Sequence, residues 1–271
     1  MLGKLKNLIS RRHYWLAKLG FYPVPASPLA SYPDGLTVTK VLNTGITVVD
    51  NFCTAEEAQH FITQSAGLVE RSRIVDKNNK LVEHSGRTSH NAFVRVDPKD
   101  PVMQSIVFRA ASLFGLPCSY VEKINFTRYE EGQFYKTHLD FNDSYTADRL
   151  YTCLIYLNDL DESQGGGTWF PSLNLVASPK RGRAVTWLNK NPDGSGHFET
   201  HHAALPPVGE GSEKWVIQLW FRGYPYSTYA ASPLAESVSV GQALAETDEL
   251  PGGVALAGDL TEDNAYGPGS E

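Results

Sequence analysis

The chain has 271 residues, 24 basic and 30 acidic side chains, a net charge of −6 and 41% hydrophobic residues, the composition of an ordinary globular protein with room for one large domain or two small ones. No stretch approaches the roughly 18 uninterrupted apolar residues of a spanning helix, and the first residues lack the apolar run and small-residue cleavage site of a secretory signal. Three widely spaced cysteines argue against a disulfide framework, so a reducing, cytoplasmic setting is expected.

The charge is unevenly spread. Residues 1–20 carry five bases and no acid, residues 223–271 carry eight acids and no base, and the middle is close to neutral at −3. That middle offers no strongly basic face for a nucleic-acid backbone, and no nucleic-acid partner is expected. Leu2, Leu5, Ile9, Leu16 and Leu19 alternate loosely with the bases in a helical, amphipathic pattern, which fits either a membrane-surface or partner contact or a terminal helix packed on the domain. Residues 1–35 are thus a basic segment followed by a proline-rich linker from Phe21.

Two β-branched runs, Thr37–Thr39 and Ile46–Val49, flank Asn43-Thr44-Gly45 as strands flank a turn. Thr54 with Glu57 forms a capping box at the head of a helix running to about Leu68, with Ala58, Phe61, Ile62 and Ala66 on its apolar side. A second helix is predicted from Pro101 to Phe114, with Asp100 as N-cap and Gly115 and Pro117 as the stop. Beyond Tyr120 the pattern changes to short strands, Tyr151–Leu157, Ala184–Leu188 and Trp215–Phe221, separated by Gly/Pro clusters and by no helix. The expected fold is therefore mainly β, a sandwich or barrel with supporting N-terminal helices. The tail from about Ala231 is poor in large apolar residues and is expected to be flexible.

Chemistry concentrates in Tyr129–Asp140. On a strand, residues two apart share a face, so His138 and Asp140 can present an imidazole nitrogen and a carboxylate oxygen to one point. Alone, such a pair is common by chance. His201 and His202 follow more than sixty residues downstream at another β-like region, and Lys214 precedes Trp215–Trp220. Two imidazoles and one carboxylate make a facial triad that leaves three adjacent octahedral positions of Fe(II) open, as an oxygenase requires. The Gly165–Gly167 run lacks the Lys-Ser/Thr and the helix of a phosphate loop and reads as a turn. His13, His60, His84, His90 and His197 have no ligand-like spacing.

Further pieces occur in order. They are Asp50-Asn51-Phe52, Arg87-Thr88-Ser89, Arg128-Tyr129 with Gly132-Gln133, Tyr135, His138 and Asp140, then Arg149 with Thr152 and Tyr156-Leu157-Asn158. After them come Gly165-Gly166-Gly167-Thr168 with Pro171, Pro179 with Gly182, His202-Ala203-Ala204-Leu205-Pro206, and Lys214-Trp215 ahead of Arg222. On these motifs the stretch from about Val48 to Arg222 resembles the prolyl 4-hydroxylase branch of the Fe(II)/2-oxoglutarate-dependent dioxygenases.

The resemblance implies a double-stranded β-helix (jelly roll) over about 120–222, within a catalytic domain spanning 36–222. By position it implies His138, Asp140 and His202 as catalytic iron ligands, with His201, on the opposite strand face, as a bystander. It implies Lys214, Tyr135 and Thr168 around 2-oxoglutarate, with O2 as the other co-substrate and ascorbate as an accessory reductant. Arg87 and Arg149 match arginines near the family's substrate groove, although Arg149 equally suits an ion pair with a nearby carboxylate. The polar segment Val75–His90 reads as a loop that closes over substrate. The implied reaction is hydroxylation of an unactivated C–H bond, with release of succinate and CO2. A carboxylate at Asp140 favours hydroxylation over the halogenation of relatives that have Gly or Ala there. The expected substrate is a proline-containing peptide. A free or carrier-bound amino acid or other small molecule is the alternative, and a non-catalytic binding module on the same fold is a further one.

Overall fold

The computed structural model describes residues 14–16, 18–19, 36–41, 44–75, 80–141, 148–226, 245–247, 250 and 252–267. In chain order the strands are β1 (Thr37–Val41), β2 (Ile46–Asp50), β3 (Glu70–Arg71), β4 (Ile74–Val75), β5 (Leu81–Val82), β6 (His90–Val94), β7 (Ile124–Glu130) and β8 (Tyr135–His138). They continue with β9 (Tyr151–Tyr156), β10 (Thr168–Phe170), β11 (Leu175–Ala177), β12 (Ala184–Leu188), β13 (His202–Ala204), β14 (Glu213–Phe221), β15 (Ala245–Thr247) and β16 (Val254–Leu256). Helices α1 (Ala55–Ser65) and α2 (Pro101–Leu113) lie between strands of the first half. The large sheet runs β15-β1-β2-β12-β9-β14-β7-β6-β3 and the small one β16-β11-β10-β13-β8, with β4 and β5 as a separate hairpin. Facing sheets of this kind make the jelly roll.

Strands β9 and β14 are mostly apolar and buried at nearly every position because they are covered on both faces. Cys153 and Ile155 of β9, with Ile217, Leu219 and Phe221 of β14, point at α1 and α2, where Phe61, Ile106, Val107 and Ala110 complete one core. The alternate residues Leu154, Tyr156 and Val216 point between the sheets and meet Phe170, Val185 and Trp187 in a second core. The period-2 geometry of a strand divides one sequence between two cores. The metal-site residues sit at the edge of the inter-sheet core.

Both helix starts follow the predicted chemistry. The Thr54 hydroxyl accepts the Glu57 N–H at 3.2 Å, and the Glu57 carboxylate accepts the Thr54 N–H at 2.9 Å. Asp100 Oδ1 accepts the amides of Val102 and Met103, while its Oδ2 meets His60 at 2.9 Å and Gln64 at 2.7 Å on α1. Glu57 in turn pairs with Arg109 of α2, so the caps also dock the helices on each other. Helix α1 stops at Ser65, three residues before the predicted end, where the Ser65 hydroxyl bonds the Phe61 carbonyl and the chain tightens before Gly67.

Gly182 joins the helical layer to the large sheet. Its φ is +80°, a Cβ there would lie 2.1 Å from the Cys53 carbonyl oxygen, and its own carbonyl accepts the Cys53 N–H at 3.1 Å.

The expectation of a flexible tail fails for the described part of it. β16 pairs with β11 in the register Val176↔Ala255, and Ala265 and Tyr266 bury against Phe134, Trp169 and Ala203 on the outside of the small sheet. The segment is too poor in apolar residues to build a core, but it needs only to cover one that the sheet supplies. Of the N-terminal basic segment, residues 1–13 and the linker 20–35 lie outside the described residues, as does 227–244 of the tail. Tyr14 packs edge-on against Tyr224 at 6.2 Å, and Trp15 is exposed. Among the described residues no helix is long and apolar enough to cross a membrane.

Candidate metal and co-substrate site

The site is built by the pairing of β8 with β13, which sets His138 directly opposite His202. Cross-strand neighbours on one face lie close enough for their side chains to converge on a shared point. Asp140, two residues past His138, completes the cluster. His138 Nε2 lies 3.8 Å from Asp140 Oδ1, His202 Nε2 lies 3.8 Å from Asp140 Oδ2, and the three sets of ligand atoms fall within 4.8 Å of one another.

The tautomers are set by the backbone. His138 Nδ1 donates to the Lys136 carbonyl at 2.8 Å and His202 Nδ1 to the Thr200 carbonyl at 3.0 Å, which leaves both Nε2 lone pairs facing inward. His202 is 2% exposed and its Nε2 has no hydrogen-bond partner. A buried acceptor aimed at a carboxylate with nothing between them is costly unless a cation sits there. Burial, followed by the neighbouring His202 ring, pushes the His138 pKa down to about 3 and keeps that imidazole neutral. Burial alone would raise the Asp140 carboxyl, but the two imidazoles, Arg149 and the Trp220 N–H outweigh it and hold the group below its usual range. Two imidazoles whose Nε2 atoms face one carboxylate are the donor set that Fe(II) takes, so the residues fit the metal.

Asp140 is held from behind. Its Oδ2 accepts the Thr152 hydroxyl at 2.8 Å and the Trp220 indole N–H at 3.0 Å, and Asn189 Nδ2 donates to Thr152 at 2.9 Å. His201 takes no part: its Nδ1 bonds the Phe198 carbonyl and its ring stacks on Phe198.

A small recess opens beside the cluster, lined by His138, His202, Thr168, Tyr129, Tyr135 and Lys214 among others. Lys214 is 1% exposed, and its Nζ reaches the Leu205 carbonyl at 3.2 Å and the face of Tyr129 at 4.3 Å. Among the described residues no carboxylate pairs with it, and burial pushes its pKa down to about 7. An ammonium kept dry without a counter-ion is a ready partner for an incoming carboxylate. Thr168 faces the recess and shares its hydroxyl with Tyr156 at 2.6 Å.

Tyr135 lies nearer the metal ligands than Lys214 does. Its ring stacks on His138 at 3.6 Å, with the Arg87 guanidinium 4.6 Å over its other face. The ring against the ammonium is that of Tyr129, whose hydroxyl burial pushes up to about 12. Sequence reasoning did not single out Tyr129, although it sits in the Arg128-Tyr129 motif and shares a strand face with Thr127 and Glu131 by period alone. Arg149 makes two 3.2 Å bonds to the buried Glu122, lies 3.5 Å over Trp220 and reaches the Asp140 carbonyl at 3.4 Å, so it ties the ligand loop to a buried carboxylate. In the predicted closing segment, residues 84–88 bond along β8: the Thr88 N–H meets the Phe134 carbonyl and the Lys136 N–H meets the Gly86 carbonyl, both at 2.8 Å.

Residues 124–222, which hold the cluster and every residue lining the recess, match the family model described as the 2OG-Fe(II) oxygenase superfamily. The stretch that carries the cluster is therefore similar to that superfamily. Among curated relatives, this chain is 34% identical over 153 residues to the prolyl 4-hydroxylase subunit alpha-1 of Gallus gallus, covering 53% of this chain and 29% of that one. It is 28% identical over 205 residues to the probable prolyl 4-hydroxylase 8 of Arabidopsis thaliana, covering 66% and 69%. The chain thus spans less than a third of the animal subunits it matches. Among solved structures it resembles the viral collagen prolyl hydroxylase of Paramecium bursaria Chlorella virus-1 in its 2OG complex, at a TM-score of 0.52 and 24% identity over 66% of this chain and 97% of that one. That likeness speaks for the fold.

Proposed function

We propose that this protein is an Fe(II)- and 2-oxoglutarate-dependent dioxygenase that hydroxylates a proline within a peptide, releasing succinate and CO2. The observation that carries the reading is that His138 and His202 of the His138–Asp140–His202 cluster line the same recess as the buried ammonium of Lys214, which has no carboxylate partner among the described residues. Iron, when bound, supplies the reactivity toward dioxygen and an unactivated C–H bond that no side chain has.

The chain's own residues do the rest. His138, Asp140 and His202 hold the metal, and the backbone carbonyls that take the Nδ1 protons turn both Nε2 atoms toward it. Lys214 takes the distal carboxylate of 2-oxoglutarate, which returns to the ammonium the counter-ion that burial denies it. Thr168 and the Tyr129 and Tyr135 hydroxyls are the polar groups nearest that co-substrate, while Leu154, Ala204 and Val216 exclude water. Arg87, stacked on Tyr135 beside β8, stands where a peptide would pass over the recess. Arg149 serves substrate indirectly, by fixing the loop that carries Asp140. The relatives named as prolyl 4-hydroxylases support peptidyl proline over other substrates. Three buried free thiols suit a reducing, cytoplasmic setting.

The test is an aerobic reaction of metal-loaded protein with 2-oxoglutarate, ascorbate and a proline-rich peptide, read as succinate and as oxygen added to the peptide. Peptide-stimulated succinate is expected. Its absence from metal-loaded protein refutes the hydroxylase reading, and stimulation by free amino acids alone reassigns the substrate.

A further inference from the structure

The strand that carries His138 is the outermost of the small sheet, with β13 on its inner side. A terminal strand is the part of a sheet most prone to fray, yet this one must hold a metal ligand at its last residue. Residues 84–88 support it as far as Lys136. The next residue, Thr137, is held by the C-terminal segment: its N–H donates to the Tyr266 hydroxyl oxygen at 3.1 Å. The Tyr266 hydroxyl donates to Glu262 Oε2 at 3.0 Å, and the Thr137 hydroxyl donates to the other oxygen of the same carboxylate. Tyr266 is 4% exposed, and its ring packs on Phe134 at 5.0 Å, one residue before β8 begins.

The same segment starts at the far edge of the small sheet, where β16 pairs with β11. Between the two anchors it covers Trp169 and Ala203 of the middle strands. It is therefore a strap from one sheet edge to the other, and it lies beyond the 124–222 stretch that matches the superfamily.

We propose that this strap, through Tyr266, holds the metal site in shape, with Tyr266 as a positioning residue for His138. The inference rests on the reading of His138 as a metal ligand. The Lys136 carbonyl orients the His138 ring, and the Lys136–Thr137 peptide links that carbonyl to the N–H that Tyr266 receives. Movement at Thr137 thus turns the ring away from Asp140 and His202. Groups that orient a ligand in this way typically govern about 10–100-fold of metal affinity.

The experiment uses the full chain and Co(II) alone as the probe, titrated by its visible absorption, alongside amide hydrogen exchange and thermal melting. Tyr266→Phe keeps the buried ring and removes the hydroxyl. It is expected to weaken Co(II) binding about tenfold and to speed exchange at Thr137 and His138, while shifting the melting temperature by no more than about 4 °C. Asp263→Ala, exposed in the same segment, is expected to match the wild type. Tyr266→Phe protein with wild-type Co(II) affinity, or with a lowered melting temperature and unchanged affinity, overturns the proposal. If that variant does not fold, Glu262→Gln is used; a weakening of about threefold with faster Thr137 exchange supports the proposal, and wild-type affinity overturns it. His138→Ala separates the two levels: should it bind Co(II) like the wild type, the metal-site reading itself falls and the positioning role with it.

Discussion

Replacing Lys214 with methionine should strengthen the fold while destroying co-substrate binding. The ammonium falls from its ordinary 10.5 to about 7 on burial, and at about 1.4 kcal/mol per pH unit the gap corresponds to roughly 5 kcal/mol set against holding the charge in place. Methionine keeps an unbranched stem against Tyr129 and Leu205 and carries no charge. With water entering the recess to solvate the wild-type ammonium, a gain of about 2–4 kcal/mol at pH 7 is expected from urea unfolding without 2-oxoglutarate. The folded-state pKa lies below the unfolded one, so between pH 7 and 10.5 the unfolded chain holds the extra proton. Wild-type stability must therefore rise with pH across that window, by up to about 1.4 kcal/mol per pH unit, and not below it, while the variant lacks this slope. Adding 2-oxoglutarate with Mn(II) at about 100 times its Kd should stabilise the wild type by about 2.7 kcal/mol and the variant by nothing. A Lys214→Met protein that is less stable than the wild type at pH 7, or that still gains stability from 2-oxoglutarate, would refute the reasoning.

Other substitutions test neighbouring parts of the site. His138→Ala and His202→Ala should each abolish succinate formation, whereas His201→Ala, bonded only to the Phe198 loop, should retain it; the reverse pattern at 201 and 202 would show the ligand register to be wrong. Thr152→Ala removes one of the two donors to Asp140 Oδ2 and strands Asn189, and about tenfold weaker Co(II) binding is expected by titration. Glu122→Ala leaves Arg149 and Arg222 buried without their shared carboxylate, at a cost of about 3–5 kcal/mol in urea unfolding. Gly182→Ala would drive a methyl into the Cys53 carbonyl at a positive φ, and a loss of at least about 2 kcal/mol is expected by thermal unfolding.

Local chemistry explains why much of the fold was legible. The Thr54–Glu57 capping box, the Asp100 cap with Pro101 beside it, and the runs that became β9, β12 and β14 each depend on residues within a few positions of one another. The metal trio was legible for a different reason. His138 and Asp140 are spaced two apart, and the doublet at 201–202 was divided by strand alternation, which buries His202 and leaves His201 at the surface side. The contact of Tyr129 with Lys214 was not legible, because it forms across β7 and β14, and the ion pair foreseen as an alternative for Arg149 was legible without its partner, Glu122, which lies 27 positions upstream.

The sequence by itself determined the two capped helices, the strand-rich second half, the donor set for a divalent iron and the lone lysine downstream of it. These follow from residue type and short spacing, which the chain carries without folding. Only the tertiary structure decided that Lys214 is buried with no carboxylate beside it among the described residues, that Tyr129 rather than Tyr135 lies under it, and that Arg149 is bound to Glu122. It also decided the fate of the tail, whose composition is too polar to form a core but whose Val254, Ala265 and Tyr266 find apolar surface on a sheet built some sixty to a hundred and thirty residues earlier. Burial and long-range pairing are properties of the assembled surface, and no window of sequence contains both of its sides.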